Sequence, residues 1–205
     1  MRWLVVLVVV SACFGHPHVA LQPPPPSLTP TQRVQAFESL RGVTEKTEMT
    51  TSCHRGACST EVKNGLVLAN GIEVWHAEDI APVIAADSAA ARHLTDVRAA
   101  NERRSMWGWV AFAGAAGGIG GAIAIGEAGA SDRVIFGTFL LGVTTFLVGG
   151  VGRGWNTYLR SQATRKAFET YNDGVARRLG LCVIGLAIVP CEAPMPDRTA
   201  LGMRR

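Results

Sequence analysis

Between residues 45 and 76 short Thr-, Val- and Leu-containing runs are separated by turn signals, the pattern of short strands. Thr47 to Ser52 and Ser59 to Lys63 predict two strands meeting around Cys53-His54-Arg55-Gly56-Ala57-Cys58. Asn64-Gly65 and Asn70-Gly71 are both two-residue hairpin signals, because a tight hairpin turn demands the positive φ that Asn and Gly accept. With Leu66-Val67-Leu68 between them and Ile72-Glu73-Val74-Trp75 after them, the region predicts a small antiparallel meander. Asp79 is then expected to cap a helix that holds Pro82 in its first turn. Val83, Ala90, Leu94 and Val97 continue at helical spacing, and the polar stretch Arg98 to Arg104 carries the helix onward.

The pattern then changes. Ser105 to Gly126 is 22 residues without a charge, and Val134 to Gly152 is 19. Each is long enough to span the roughly 30 Å hydrocarbon layer of a bilayer as a helix. The connector Glu127 to Arg133 is short, so the two helices must be antiparallel neighbours. Trp107 and Trp109 open the first stretch, and Trp155 and Tyr158 close the second. A hairpin brings all four to one end, as an aromatic belt at a membrane interface. After it, Trp155 to Leu179 predicts a helix with Phe168, Tyr171, Val175 and Leu179 on one face, and 182–191 a β segment. The expected class is an α+β membrane protein: a two-helix transmembrane hairpin with a small disulfide-bonded antiparallel meander and flanking helices.

Composition supports this. Hydrophobic residues make up 48% and charged residues 18%, below the roughly 25% charged of soluble domains. The net charge of +4 is mild. The Lys and Arg residues flank the apolar stretches and form no stripe with interleaved aromatics, so no nucleic-acid partner is expected.

The amino terminus has the form of a signal peptide: Arg2, an apolar run from Trp3 to Val10, then Val10-Ser11-Ala12-Cys13. These four residues resemble the lipobox of bacterial lipoproteins. The resemblance implies diacylation of Cys13 as the new amino terminus, and Phe14, where inner-membrane retention uses Asp, slightly favours the outer membrane. His16 to Pro30 comes next, with four prolines at 23–26 that enforce an extended polyproline II spacer. Four further cysteines, Cys53, Cys58, Cys182 and Cys191, fit two disulfides in an exported chain. A metal site using Cys53, His54 and Cys58 is the competing reading, though the spacing matches no zinc knuckle. If 182–191 is one straight strand its cysteines are too far apart to join each other and must pair with Cys53 and Cys58; otherwise the run folds back at Gly185.

Gly114, Gly118, Ala122 and Gly126 recur every fourth residue, with Gly117 and Gly121 on the adjoining ridge. On the second stretch Thr138, Gly142, Thr145 and Gly149 share a face. Small residues at this spacing let backbones approach closely in lipid, where no hydrophobic force draws helices together. These faces either pack on each other or drive oligomers. The first ridge resembles the glycine-zipper segments of small outer-membrane lipoproteins. A core helix of a soluble protein is a poor alternative, since each interior glycine costs about 1 kcal/mol relative to alanine.

The expected regions are a signal peptide (1–12), a lipid-anchored Pro-rich tether (13–31), a periplasmic meander with a helix (32–104), two spans (105–126 and 134–152) around a connector (127–133), a helix with a terminal β segment (153–191) and a disordered tail (192–205). One conflict stands. Arg92, Arg98, Arg103, Arg104, Arg153, Arg160, Arg165 and Lys166 flank the spans, and the connector has only Arg133. The positive-inside rule would put those flanks in the cytoplasm, whereas export signals and disulfides put them outside. The export signals act directly on the polypeptide downstream of them and take precedence.

No phosphate loop, dinucleotide fingerprint or metalloprotease motif occurs. His76 with Glu78 and Asp79, Asp87-Ser88 and His54 are isolated candidates, and His76 fits a solvated strand end. Glu127 fits an interfacial position, and Tyr171-Asn172-Asp173-Gly174 a core tyrosine beside a turn. No catalytic residue and no cofactor are expected. The sequence implies a membrane-anchored envelope lipoprotein with a structural or protein-interaction role. Its expected partners are the bilayer and either an envelope protein or further copies of itself. The alternative is an accessory or pore-forming subunit of an envelope transport system.

Overall fold

The computed structural model describes residues 16–54, 57–184 and 187–191. Cys13 with the expected signal peptide before it, the expected reversal at Gly185, and the expected disordered tail from Glu192 lie outside those residues. The chain divides into two units, 1–91 with 168–205, and 92–167.

The first unit is mixed α+β. Helix α1 (Pro30–Leu40) begins on a capping box: Thr29 N–H donates to Gln32 Oε1 at 2.9 Å, and Gln32 N–H to the Thr29 hydroxyl at 3.4 Å. Each side chain satisfies an amide that the first helical turn leaves open. Phe37 is the residue it buries. This helix is an addition to the expected elements. Its apolar face is too narrow for periodicity to reveal, and its visible mark is the Thr29-Pro30-Thr31-Gln32 start.

Strands β1 (Gly42–His54) and β2 (Ala57–Leu68) form a long antiparallel hairpin, and β2 also pairs β3 (Glu73–Val74) in the order β1-β2-β3. Asn70-Gly71 makes the predicted turn, with Gly71 at φ +83° and its N–H donating to Leu68 O at 2.9 Å. Asn64-Gly65 does not. These residues sit inside β2, opposite Thr47 and Lys46. Gly65 is needed there for a different reason: a Cβ on it would lie 2.7 Å from the Trp75 ring. The turn signal reports close packing.

A 3₁₀ segment (Ala77–Val83) comes next, and Asp79 caps no helix. Its carboxylate instead accepts the Val19 N–H at 3.0 Å and a contact from His18 Nδ1 at 3.1 Å. The helix begins later, at Ser88, whose hydroxyl accepts the Ala91 N–H at 3.2 Å and donates to Ala85 O at 2.6 Å. Ser88 is fully buried, so the cap is also a core contact.

The second unit, inserted at this point of the chain, is a helical hairpin. Helix α2 (Ala89–Ala115) passes through a π turn (Ala116–Gly120) into α3 (Gly121–Glu127), and α4 runs from Asp132 to Glu169. The first arm ends in a Schellman cap: Ala130 N–H donates to Ile125 O, Gly129 N–H to Gly126 O, and Gly129 takes φ +79°. The apolar stretch 134–152 and the polar helix after it, expected as separate elements, are one continuous helix, because nothing at 152–155 breaks the backbone ladder.

Helix α5 (Tyr171–Arg178) and the short hairpin of β4 (Leu181–Ile184) and β5 (Ala187–Pro190) complete the first unit. Phe168, Tyr171, Val175 and Leu179 are all buried, as their spacing predicted. Asn172 to Gly174 lies within the helix and makes no turn. Leu68, Val74, Ile80 and Val83 join Tyr171 and Val175 as the most deeply buried side chains of this core. Gly174 is required by contact: a Cβ would meet Ile84 Cγ2 at 3.0 Å and Ser88 Oγ at 3.2 Å.

Candidate membrane-anchoring site

Within the hairpin the small residues face inward. A Cβ on Gly118 would lie 2.5 Å from Gly142 Cα, and one on Gly114 would lie 2.5 Å from the Phe146 backbone nitrogen. Gly149 backs onto Ala111 in the same way, and Gly152 onto the Trp107 ring, whose Cε3 would be 2.8 Å from an added Cβ. Towards the connector the packing loosens, with Gly121 against Thr138 and Gly126 against Ile135, both at an ordinary 3.4 Å. Ala122 is buried. The two small-residue faces are therefore each other's partners. Gly117 is the exception within the predicted ridges: a Cβ added there would have nothing from outside its own helical turn within 4 Å.

Thr138 and Thr145 bond back to the carbonyls of Val134 and Leu141, at 3.0 and 2.9 Å. Each hydroxyl is thereby satisfied within its own helix.

The large apolar side chains face outward. Phe112, Ile119, Ile123, Phe136, Leu141 and Val151 are all more than half exposed. Only 17% of the most apolar 18-residue window of the first arm is buried, and 11% of that of the second. A core helix of a soluble protein has such a window mostly buried. Both arms are long and apolar enough to cross a membrane. At 38 residues α4 is about 57 Å long, nearly twice the roughly 30 Å hydrocarbon layer of a bilayer.

The contact of Gly152 with Trp107 sets the register that brings the four aromatic residues to one end. Trp109, Trp155 and Tyr158 are exposed there, Trp109 edge-on to Phe112 at 6.0 Å and Trp155 tilted against Tyr158 at 5.9 Å. Beyond them come the basic residues of both arms. Glu127 is exposed at the other end.

No family model matches this chain, and no curated protein or solved structure matches it either.

In the first unit both disulfides are local: Cys53–Cys58 across the β1–β2 end, with Cα atoms 4.0 Å apart, and Cys182–Cys191 across β4–β5 at 4.9 Å. The 182–191 run folds back, so the cross-pairing alternative does not arise. With their sulfurs joined, Cys53 and Cys58 are not the thiolate ligands that the competing metal reading needs. Two disulfides fit an oxidising compartment.

The segment expected to be a spacer is packed at its start. His16 stacks on Trp75 with centroids 4.1 Å apart, and its Nε2 lies 2.8 Å from Glu48. His18 stacks on His76 at 3.7 Å, and His76 Nε2 bonds to the His16 carbonyl at 2.8 Å. His76 is thus covered and hydrogen-bonded, where solvation was expected. Trp75 is held between Gly65 and His16, with its Nε1–H donating to Glu73 at 3.2 Å and Lys46 Nζ 5.6 Å above the ring. The hydrogen bond from Lys46 holds the Glu73 carboxyl below its usual range. No single residue pattern announces this cluster, because its members come from four separated stretches.

Proposed function

We propose that the chain is an exported envelope lipoprotein, anchored by diacylated Cys13 and by a bilayer-embedded helical hairpin, with its disulfide-closed α+β unit in the periplasm and a structural or protein-interaction role. One observation carries it: a hairpin with backbones in contact inside and Phe, Leu, Ile and Val outside is arranged for lipid. In water it would expose far more contiguous apolar surface than a monomer normally carries. The disulfides support the exported side over the side the positive-inside rule favours. Because Gly114, Gly118, Gly142 and Gly149 are engaged within one chain, self-association would use the outer face, where Gly117 lies open. A conduit would need several hairpins, since the two arms leave no passage between them.

Alkaline carbonate extraction of membranes, combined with mass spectrometry of the mature amino terminus, tests the proposal. The expected result is retention in the membrane pellet and a diacylglyceryl mass on Cys13. Release into the carbonate supernatant would overturn the hairpin's assignment, and an unmodified Cys13 would overturn the lipoprotein assignment.

A further inference from the structure

At the charged end of the hairpin a recess of about 600 Å³ lies between the two arms. It is lined by Asn101, Arg104, Ser105, Trp109 and Phe112 of α2 and by Arg153 of α4. Gly108 forms its floor, where a Cβ would come 4.0 Å from Arg153 Nη1. The lining changes in order along α2. Asn101, Arg104 and Ser105 supply hydrogen-bond donors, then the helix turns apolar at Trp109 and Phe112, which are 70% and 64% exposed. Two arginines from different helices thus line one recess where charged helix gives way to uncharged helix.

We propose that this recess binds an anionic phospholipid, its phosphate held between Arg104 and Arg153 and an acyl chain laid along Trp109 and Phe112. The proposal rests on the bilayer reading above. Guanidinium donors match phosphate oxygens in geometry and charge. The apolar wall continuing from the two arginines is of no use to a free ion, and it matches the headgroup-to-chain order of a lipid. A zwitterionic lipid offers the same phosphate but adds a cation that the second arginine repels. The site also gives the basic flanks a role on the exported side.

The test uses the full-length protein in phosphatidylcholine vesicles doped with brominated phosphatidylglycerol or brominated phosphatidylcholine, and measures quenching of Trp109 as the signal that Trp109→Phe removes. Each arginine near an anionic surface strengthens binding about fivefold, and the two factors multiply, so phosphatidylglycerol should quench at about 25-fold lower mole fraction. Arg104→Gln with Arg153→Gln should erase that preference and keep quenching by both lipids. The lysine pair should retain most of it, and excess inorganic phosphate should leave it unchanged. Equal quenching by the two lipids in the unaltered protein overturns the site while leaving the hairpin in the bilayer. Loss of the preference to inorganic phosphate overturns the lipid as occupant. No quenching by either lipid overturns the bilayer reading itself.

Discussion

Gly118 and Gly142 meet backbone to backbone across the hairpin, with no room on either for a methyl group. Of the contacts an added Cβ would make between the two arms, the shortest is at this pair. Gly118→Leu or Gly142→Leu must push the helices apart, at a cost of about 1–3 kcal/mol or more. Gly117→Leu, one residue away and facing open space, should cost little. Thermal unfolding monitored by circular dichroism in detergent measures the contrast. Equal destabilisation by all three would mean that the arms do not pack through this face.

The two disulfides should be separable by chemistry. Non-reducing peptide mapping is expected to give Cys53 joined to Cys58 and Cys182 joined to Cys191, with no cross-linked species. Each bond closes a short loop, so Cys→Ser at one member should cost about 2 kcal/mol by the chain-entropy account. Free thiols at all four positions in protein taken from cells would place this unit in a reducing compartment.

Tyr171 is fully buried, and its hydroxyl donates to Leu40 O at 2.9 Å. Burial pushes the phenol's pKa up, because the phenolate would lose its hydration. The folded state therefore holds this proton more tightly than the unfolded state. Stability from this group is complete below the unfolded phenol's value, near pH 10, and falls as pH rises above it towards the folded value. Tyr171→Phe should remove that alkaline slope and lower stability near neutrality by about 1 kcal/mol for the lost hydrogen bond. Melting temperatures of both proteins at pH 9 and pH 11 show whether the slopes differ.

Trp75 covers Gly65 and carries His16. Gly65→Ala should displace the ring, since the new Cβ would lie 2.7 Å from it, and should red-shift tryptophan emission. Trp75→Ala should also release the 16–19 segment to proteolysis. Unchanged protease resistance would show that the Asp79 contacts to His18 and Val19 hold that segment without the ring.

Much of the architecture was legible in the residues. Two uncharged stretches with a short link can only be adjacent antiparallel helices, and the faces bearing Gly114, Gly118, Gly142 and Gly149 are helical periodicities that any helix would display. The buried set Phe168, Tyr171, Val175 and Leu179 was equally plain. These features depend on local repeat and on length, which are written into the order of residues.

Other features were settled only when distant stretches met. Asn64-Gly65 carries the marks of a turn, but Trp75 needs Gly65 flat beneath it within a strand. Asp79 has the chemistry of a cap, but the backbone of Val19 claims its carboxylate. Whether the glycine faces meet each other or a second chain, and whether Cys182 joins Cys191 or Cys53, depends on distance in space. Sequence by itself determined the apolar stretches and most of the helical and extended segments, because those preferences act over a few residues. The tertiary structure alone decided the partner of each glycine, carboxylate and sulfur, because each contact is a competition among groups far apart along the chain.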